Sequence, residues 1–300
     1  MAKRPVDQRL ALETLPSHAP VAATTRSASE PRLRIEAGRG WLNLDLKAVW
    51  EFRELLYFLV WRDVKVRYKQ TIMGALWAIL QPVLTTLIFL AIGTYANLAS
   101  NESPYAVFIF TALLPMTYFS QAIIRSGGSL VNDSNLVRKV YFPRLIIPFA
   151  AVAAPLVDLF VSFGVLAAML AWFRHPLRWP VLTLPFFLLL AVATALGVGV
   201  WLSALNARYR DVGHVIPFLT QLWFFASPVF YAPTIFPEKW RLLYSLNPMV
   251  GVIEGFRWAL LGHKVPDFVP IAITVVAVAV LLFTGIVFFK RMERILADVL

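Results

Sequence analysis

The sequence has 300 residues, of which 59% are hydrophobic and only 15% are charged, with a formal net charge of +11 and no cysteine. The charged share of a typical soluble protein is about 25%, so this composition excludes a sizeable soluble domain and indicates an integral membrane protein. The missing cysteines exclude a disulfide framework, a thiol nucleophile and a thiolate metal site. The positive charges lie before Thr71 and in short loops rather than in one patch, which argues against nucleic-acid binding.

The first part of the chain, residues 1–45, is predicted to be a disordered cytoplasmic tail. Residues 1–40 are rich in Ala, Pro, Ser, Thr and Arg, and they lack the apolar run of a cleaved signal peptide. The remainder, residues 46–300, is predicted to form one all-α transmembrane domain.

An amphipathic helix over residues 50–70 is predicted to lie in the plane of the membrane surface. Its apolar residues recur with helical spacing, and its basic and aromatic residues are of the types that contact lipid headgroups. The apolar set is Phe52, Leu55, Leu56, Leu59 and Val60, and the headgroup set is Arg62, Lys65, Arg67, Tyr68 and Lys69. An elbow near Thr71–Gly74 then leads into an uncharged run. The alternative is a plain basic flank of the first span.

Six apolar runs are predicted to be transmembrane helices, and both termini are then cytoplasmic. The predicted spans are residues 72–97, 105–124, 146–173, 180–204, 212–231 and 268–289. In this topology most of the Lys and Arg residues fall on the cytoplasmic side, as the positive-inside rule requires.

Two polar residues in these spans leave alternatives open. Gln81 precedes Pro82, which removes a backbone hydrogen bond from the first span, so the amide could satisfy the freed carbonyl or face a polar pathway. Asp158 in the third span is costly at membrane depth. Because no basic partner is close to it in the sequence, it is predicted to be a buried structural carboxyl rather than part of a proton relay.

The longest polar interruption in the first half of the chain is residues 125–147, which the positive charges place in the cytoplasm. Ser126-Gly127-Gly128 is predicted to end a helix, and Asp133 or Ser134 to cap a short new one that runs toward Val140. This short helix exposes more apolar surface than a connector needs, so the loop is predicted to contact a protein partner. A plain solvated loop is the alternative.

Residues 232–263 are predicted to form short external re-entrant helices between the fifth and sixth spans. Asn247 and Pro248 are typical of a helix start, with Asn as the cap and Pro at the first helical position. The helix that follows carries Glu254 and Arg257 and is too short to cross a bilayer. Gly251 and Gly255 form a small-xxx-small pair, which hints at close packing.

Motifs of catalysis are missing from the sequence. There is no G-x-x-x-x-G-K-[ST] segment for binding ATP and no H-E-x-x-H segment, and the four histidines are scattered along the chain. The chain is therefore predicted not to be an enzyme and to hold neither a metal ion nor a cofactor.

Three stretches make the chain resemble a known family. They are Arg62–Tyr68 leading to Leu76-Trp77 and Gln81-Pro82, then Asn135–Pro143, and then Leu246–Met249 through Phe256-Arg257 to Leu261-Gly262. In order and spacing these stretches resemble the permease subunit of ABC-2-type polysaccharide exporters, the family that moves O-antigen, capsule and teichoic-acid polymers. The resemblance covers about Leu46 to Leu300.

The resemblance implies a homodimer in the bacterial inner membrane, with each copy docked on a separate ATPase that binds ATP and Mg²⁺. It also implies ATP-driven passage of a lipid-linked glycan through a channel between the two copies. By the same resemblance, a coupling helix gripped by the ATPase comprises Ser134, Asn135, Leu136, Val137, Arg138, Lys139, Val140 and Tyr141.

The resemblance further implies that the first and fifth spans line the channel. The candidate lining residues are Trp77, Gln81, Trp223, Phe224, Phe225 and Tyr231, whose rings could stack on sugar faces or, alternatively, face lipid. Asn247, Pro248, Glu254 and Arg257 mark the candidate external gate. The basic groups of the interface helix could hold the lipid pyrophosphate, or ordinary anionic lipid.

Two other functions remain open from the sequence. An ABC-2 exporter of a drug or a lipid would share the fold and differ only in cargo. An ATP-independent flippase would need paired intramembrane charges for ion coupling, and Asp158 alone gives that class little support.

Overall fold

The computed structural model describes residues 46–69, 74–95, 104–231, 237, 240, 243–262 and 268–299. The described residues are mostly helical and contain no β-strand, which confirms the predicted all-α fold. The predicted tail, residues 1–45, lies outside the described residues. In chain order the helices are α1 Leu46–Glu51, α2 Arg53–Lys69, α3 Gly74–Tyr95, α4 Tyr105–Asn132, α5 Ser134–Lys139, α6 Ile146–Ala153, α7 Leu156–Trp172, α8 Leu184–Arg208, α9 Val212–Phe225, α10 Pro248–Leu261 and α11 Phe268–Val299.

Five helical segments within the described residues are long and apolar enough to cross a bilayer. They are Leu76–Tyr95, Tyr105–Asn132, Ile146–Trp172, Trp179–Arg208 and Phe268–Glu293, the fourth of which begins with a short 3₁₀ turn. These segments occupy the positions of the predicted first, second, third, fourth and sixth spans. The membrane-protein class is confirmed, whereas the predicted count of six spans is not reproduced.

The predicted fifth span, residues 212–231, is replaced by the shorter helix α9. This helix has 14 residues and ends at Phe225, before Ser227-Pro228. At about 1.5 Å per residue it is roughly 21 Å long, well short of a hydrocarbon core of about 30 Å. Pro228 has no N–H to continue the helix, and the chain beyond it, up to Tyr231, is non-helical.

The second span is longer than predicted, because α4 continues through Gly127 and Gly128 to Asn132. The sequence analysis predicted that Ser126-Gly127-Gly128 would end this helix, and that prediction is wrong. A Cβ on Gly127 would collide with Ile216 of α9, and the Asn206 amide of α8 donates to the Gly127 carbonyl at 2.9 Å. Glycine therefore permits close helix packing at this point instead of terminating the helix.

Helix α4 forms the centre of the bundle and is the most buried of the five spans. It packs against α8, α6, α10, α3, α7 and α9. Two of its polar side chains pair inside the bundle, since the Ser129 hydroxyl lies 3.3 Å from that of Ser203 and Tyr118 donates to the Val152 carbonyl at 3.2 Å. The buried Thr111 hydroxyl, by contrast, has no hydrogen-bond partner among the described residues. By contrast, α3 and α11 are largely exposed along their apolar windows.

The third span consists of two helices, α6 and α7, which meet at Ala154-Pro155. The proline lacks the N–H that would continue the first helix, so the segment turns there before α7 begins. The buried Asp158 lies in the first turn of α7, directly after this break.

Helix α10, which was predicted to belong to an external re-entrant segment, is packed against the other helices, and the re-entrant arrangement stays a prediction. Nearly all of its side chains are buried, against α4, α8 and α11. A Cβ on Gly251 would collide with Thr274 of α11, and one on Gly255 with the Phe187 ring of α8. The close packing that the two glycines indicated in the sequence is therefore present. Most of the residues predicted to precede α10, 232–242, lie outside the described residues.

The interface helix is α2, which begins at Arg53 after the short helix α1 and a turn at Phe52. Leu59 is only 2% exposed. Together with the partly buried Leu55, Leu56 and Val60, it packs against a cluster of buried apolar side chains to which α6 contributes. Phe52, which was predicted on the same face, is instead exposed. The predicted elbow cannot be described in full, because residues 70–73 lie outside the described residues.

Candidate functional site

The predicted coupling helix corresponds to α5, and its residues divide into an inner and an outer set. Leu136 and Val137 pack inward against the same apolar cluster as Leu59 of α2. The outer set is exposed and consists of Asn135, Arg138, Lys139, Val140 and Tyr141. The helix itself ends at Lys139, so Val140 and Tyr141, 50% and 77% exposed, lie on extended chain. Ser134, Leu136 and Val137 are partly buried, so the outer set supplies most of the surface that a partner protein could contact.

Asp133 holds the cap position of α5 but does not cap it. Its side chain makes no hydrogen bond to the backbone amides of the helix. Instead, its carboxylate accepts a hydrogen bond from Arg62 of α2 at 3.0 Å. The pKa of the Arg62 guanidinium is raised above its ordinary value, mainly because of this hydrogen bond. The ion pair joins α2 to the junction between α4 and α5.

Asp158 has a basic partner, which the sequence analysis did not find. Its carboxylate accepts from the Arg67 guanidinium and from the Tyr68 hydroxyl, both on α2. Arg67 also donates to Gln121 of α4 at 3.2 Å. Burial, followed by the nearby Asp158, raises the pKa of Tyr68 to about 12, so the hydroxyl stays protonated and can donate. Asp158 is thus a buried structural carboxylate, and α2 supplies its partners.

These pairs change the prediction for the basic side of α2. Arg62, Arg67 and Tyr68 were predicted to contact lipid headgroups or a pyrophosphate, but their polar groups are bonded within the protein. Lys65 and Lys69 are exposed and remain candidates for that contact. The exposed aromatic residues of α2 are Tyr57, Phe58 and Trp61, which suit the headgroup layer.

The candidate channel-lining residues also divide into two sets. Trp77 and Gln81 lie on the exposed face of α3, and Phe225 is exposed at the end of α9. In the part of the chain that the structure describes, the Gln81 side chain makes no hydrogen bond. The bond from this amide to the carbonyl freed by Pro82 is therefore not formed, and the polar pathway stays a prediction.

Trp223, Phe224 and Tyr231 are partly buried and contact other parts of the bundle. The Trp223 ring meets Phe119 of α4 edge-on at 5.1 Å, and the Phe224 ring lies 6.0 Å from Phe89 of α3. The Tyr231 hydroxyl lies 2.6 Å from that of Tyr244. These three rings help to hold α9 and the segment after it against the other helices.

Asn247 connects the start of α10 to the end of α9. Its Oδ1 accepts from the Met249 backbone at 3.1 Å, as a helix cap does, and from the Trp223 ring nitrogen at 2.8 Å. Its Nδ2 donates to the Ala226 carbonyl at 3.1 Å. The cap predicted from the Asn-Pro pair is present, and it also satisfies a carbonyl at the end of the shortened helix.

Arg257 is the largest fully buried side chain and is 1% exposed. It donates to the carbonyls of Val229 at 2.9 Å and Tyr231 at 3.4 Å, and to the Glu254 carboxylate at 2.9 Å. Its guanidinium carbon also lies 3.5 Å from the ring centroid of Phe108. Arg257 therefore donates hydrogen bonds to backbone carbonyls of the non-helical segment after α9. Lipid hydrocarbon could not supply these bonds.

An apolar groove of about 1070 Å³ lies between α9 and α11, closed on one side by Leu246–Pro248. Its lining from α11 includes Phe268, Ile273 and Val280. Such a surface suits hydrocarbon chains rather than sugars. Among the described residues, no group of three or more His, Asp or Glu side chains is placed to hold a metal ion.

Comparison with known proteins agrees with these features. The sequence model described as ABC-2 type transporter matches residues 54–261, which extend from α2 to α10. The O-antigen export system permease protein RfbA of Myxococcus xanthus is 30% identical over 253 residues, covering 83% of this chain and 96% of that protein. RfbA of Klebsiella pneumoniae is 27% identical over 250 residues, covering 82% and 95%. The polysialic acid transport protein KpsM of Escherichia coli is 25% identical over 239 residues, covering 78% and 91%. With the family match spanning well over half of its residues, the chain belongs to the ABC-2 type transporter family.

Proposed function

We propose that this chain is the channel-forming subunit of an ATP-driven exporter that moves a lipid-linked, O-antigen-like polysaccharide from the cytoplasmic side across the bacterial inner membrane. The observation that carries the proposal is the similarity to O-antigen export permeases over about 95% of their length. A multi-pass helical bundle with exposed polar and aromatic side chains on one span is the architecture that such transport needs.

A separate ATPase is part of the proposal, because the sequence has no P-loop with which to bind ATP and Mg²⁺. The outer set of α5 and its extension is the proposed docking surface. It combines two cations, Arg138 and Lys139, with the exposed apolar side chains of Val140 and Tyr141. An exposed tyrosine beside basic groups is typical of the central residues of protein interfaces.

A homodimer with a channel between the copies is the proposed assembly. Helices α3 and α9 both present apolar side chains that this chain does not cover, including Ile88 on α3 and Phe218 and Leu222 on α9. On the same surfaces lie Gln81 and Phe225, which suit a path for a sugar polymer. Both termini are cytoplasmic in this proposal, as the charge distribution favours, so the chain between α8 and α11 must cross the membrane once in addition to the five long spans.

Export can be tested by deleting the gene in its host and fractionating the lipid-linked glycans. We expect polymer to accumulate on the cytoplasmic side and to reach the surface again when the chain is expressed together with its ATPase. Normal surface polymer in the deletion strain would contradict polysaccharide as the cargo and would favour a drug or lipid exporter of the same family.

Docking can be tested by the double variant Val140→Asp/Tyr141→Asp. We expect it to insert normally but to lose copurification with the ATPase by about tenfold or more, since a central aromatic residue of an interface contributes about 2 kcal/mol. The matched control is Tyr209→Asp, which places a carboxylate at an exposed tyrosine between α8 and α9, outside the proposed docking surface. Undiminished copurification and export by the double variant would show that the ATPase docks elsewhere.

A further inference from the structure

Two contacts hold α2 to different parts of the chain. Arg62 bonds to Asp133, at the junction of α4 and α5, with a separation of 3.0 Å. Five residues further along α2, which is about 7.5 Å along its axis, Arg67 bonds to Asp158 in the third span. Helix α2 thus connects the proposed docking helix to the interior of the membrane bundle.

The position of Asp133 makes the first contact sensitive to movement of α5. Asp133 is the residue between α4 and α5, and its backbone belongs to the caps of both helices. Its carboxylate is bound to Arg62 and leaves the amides of α5 uncapped. A shift of α5 against α4 therefore moves the acceptor of the Arg62 bond directly.

The two ion pairs differ in exposure, and this difference assigns them different roles. The side chains of Arg62 and Asp133 are 35% and 23% exposed, and those of Arg67 and Asp158 are 23% and 9% exposed. Water can solvate the outer pair while its geometry adjusts, whereas separation of the inner pair would leave the carboxylate of Asp158 buried without its counter-charge. The outer pair can thus adjust while it passes movement on, and the inner pair holds α2 to the third span.

We propose that Arg62 and Asp133 are positioning residues that transmit movement of the docking helix α5 to α2, with the Arg67–Asp158 pair carrying that movement on to the third span. Helix α2 also packs against α3, so movement of α2 reaches the first span as well. This inference rests on the proposed function, since it requires an ATPase bound to the outer set of α5.

The test uses the full chain reconstituted with its ATPase in lipid vesicles. The variants are Arg62→Gln, Asp133→Ala and the charge exchange Arg62→Asp/Asp133→Arg, and the control is Arg53→Gln, an exposed residue at the start of α2. We expect the two single variants to copurify with the ATPase and to hydrolyse ATP, but to export polymer about fivefold or more slowly per ATP. The charge exchange should recover part of that loss, and Arg53→Gln should behave as the wild type.

Three results would separate the explanations. Wild-type export by Arg62→Gln in an assembled complex would overturn the inference and leave the proposed function intact. Loss of assembly in parallel with loss of export, with no recovery on charge exchange, would assign the pair a purely structural role and also overturn it. Failure of the wild-type chain to copurify with the ATPase would instead contradict the proposed function.

Discussion

Asp158→Leu should give a protein that inserts into the membrane but unfolds far more readily than the wild type. The substitution removes the carboxylate that accepts from Arg67 and Tyr68, and so leaves a partly buried guanidinium without that counter-charge. Removal of one partner of a fully buried pair typically costs about 3–5 kcal/mol. Because Arg67 is 23% exposed and also donates to Gln121, we expect a cost toward the lower end of that range. Thermal unfolding of the detergent-solubilised protein, followed by size-exclusion chromatography, measures the loss.

Two further variants show whether the ion pair is the cause. Asp211→Asn removes an exposed carboxylate at the start of α9 and should leave the unfolding temperature unchanged. Arg67→Met/Asp158→Leu replaces both charges by apolar groups and should recover much of the stability, because the buried charge is gone. If the double variant were less stable than Asp158→Leu, Arg67 would be stabilised mainly by other contacts.

Arg257→Leu should be the second strongly destabilising substitution. It removes the donors for the Val229 and Tyr231 carbonyls, which lie in the non-helical segment after α9. Each buried acceptor left unsatisfied costs about 1–3 kcal/mol, so we expect a total loss of about 3 kcal/mol or more. The yield of monodisperse protein and its unfolding temperature measure this effect.

Further variants distinguish an effect of Arg257 on stability from an effect on gating. Arg257→Lys keeps the charge but lacks the planar fork that reaches two carbonyls, so its stability should lie between Arg257→Leu and the wild type. Arg210→Gln, at an exposed arginine before α9, is the control and should be neutral. Normal stability of Arg257→Leu combined with lost export would show that this residue acts in the gate and not in the fold.

Local sequence patterns predicted the features that depend on neighbouring residues. The uncharged runs gave the position of each long span, and the Asn247-Pro248 pair gave the start of α10 with its cap. Helical spacing also gave Leu59 as an inward-facing residue of α2. These features arise from contacts within one or two turns, which is the range that periodicity and capping rules describe.

Features that depend on distant residues could not be predicted in this way. Arg67 and Asp158 are 91 positions apart, and Arg62 and Asp133 are 71 apart, so nothing near either carboxylate indicated its partner. Gly127 had the pattern of a helix end, but the packing of α9 against it decided the outcome. The apolar run 212–231 was predicted as a full span, whereas the helix ends at Phe225 and the distant Arg257 donates to the Val229 carbonyl beyond it.

The central position of α4 has a consequence for the synthesis of the protein. The Ser129 hydroxyl of α4 contacts that of Ser203, which lies 74 residues further along the chain. The Gly127 carbonyl accepts a hydrogen bond from Asn206, 79 residues away. A ribosome that adds about 5–20 residues per second needs roughly 4 to 16 s to supply these partners. During that interval this part of α4 has left the ribosome before α8 exists, and the Ser129 hydroxyl can meanwhile donate to the Ser126 carbonyl of its own helix, a bond of 2.7 Å in the folded protein.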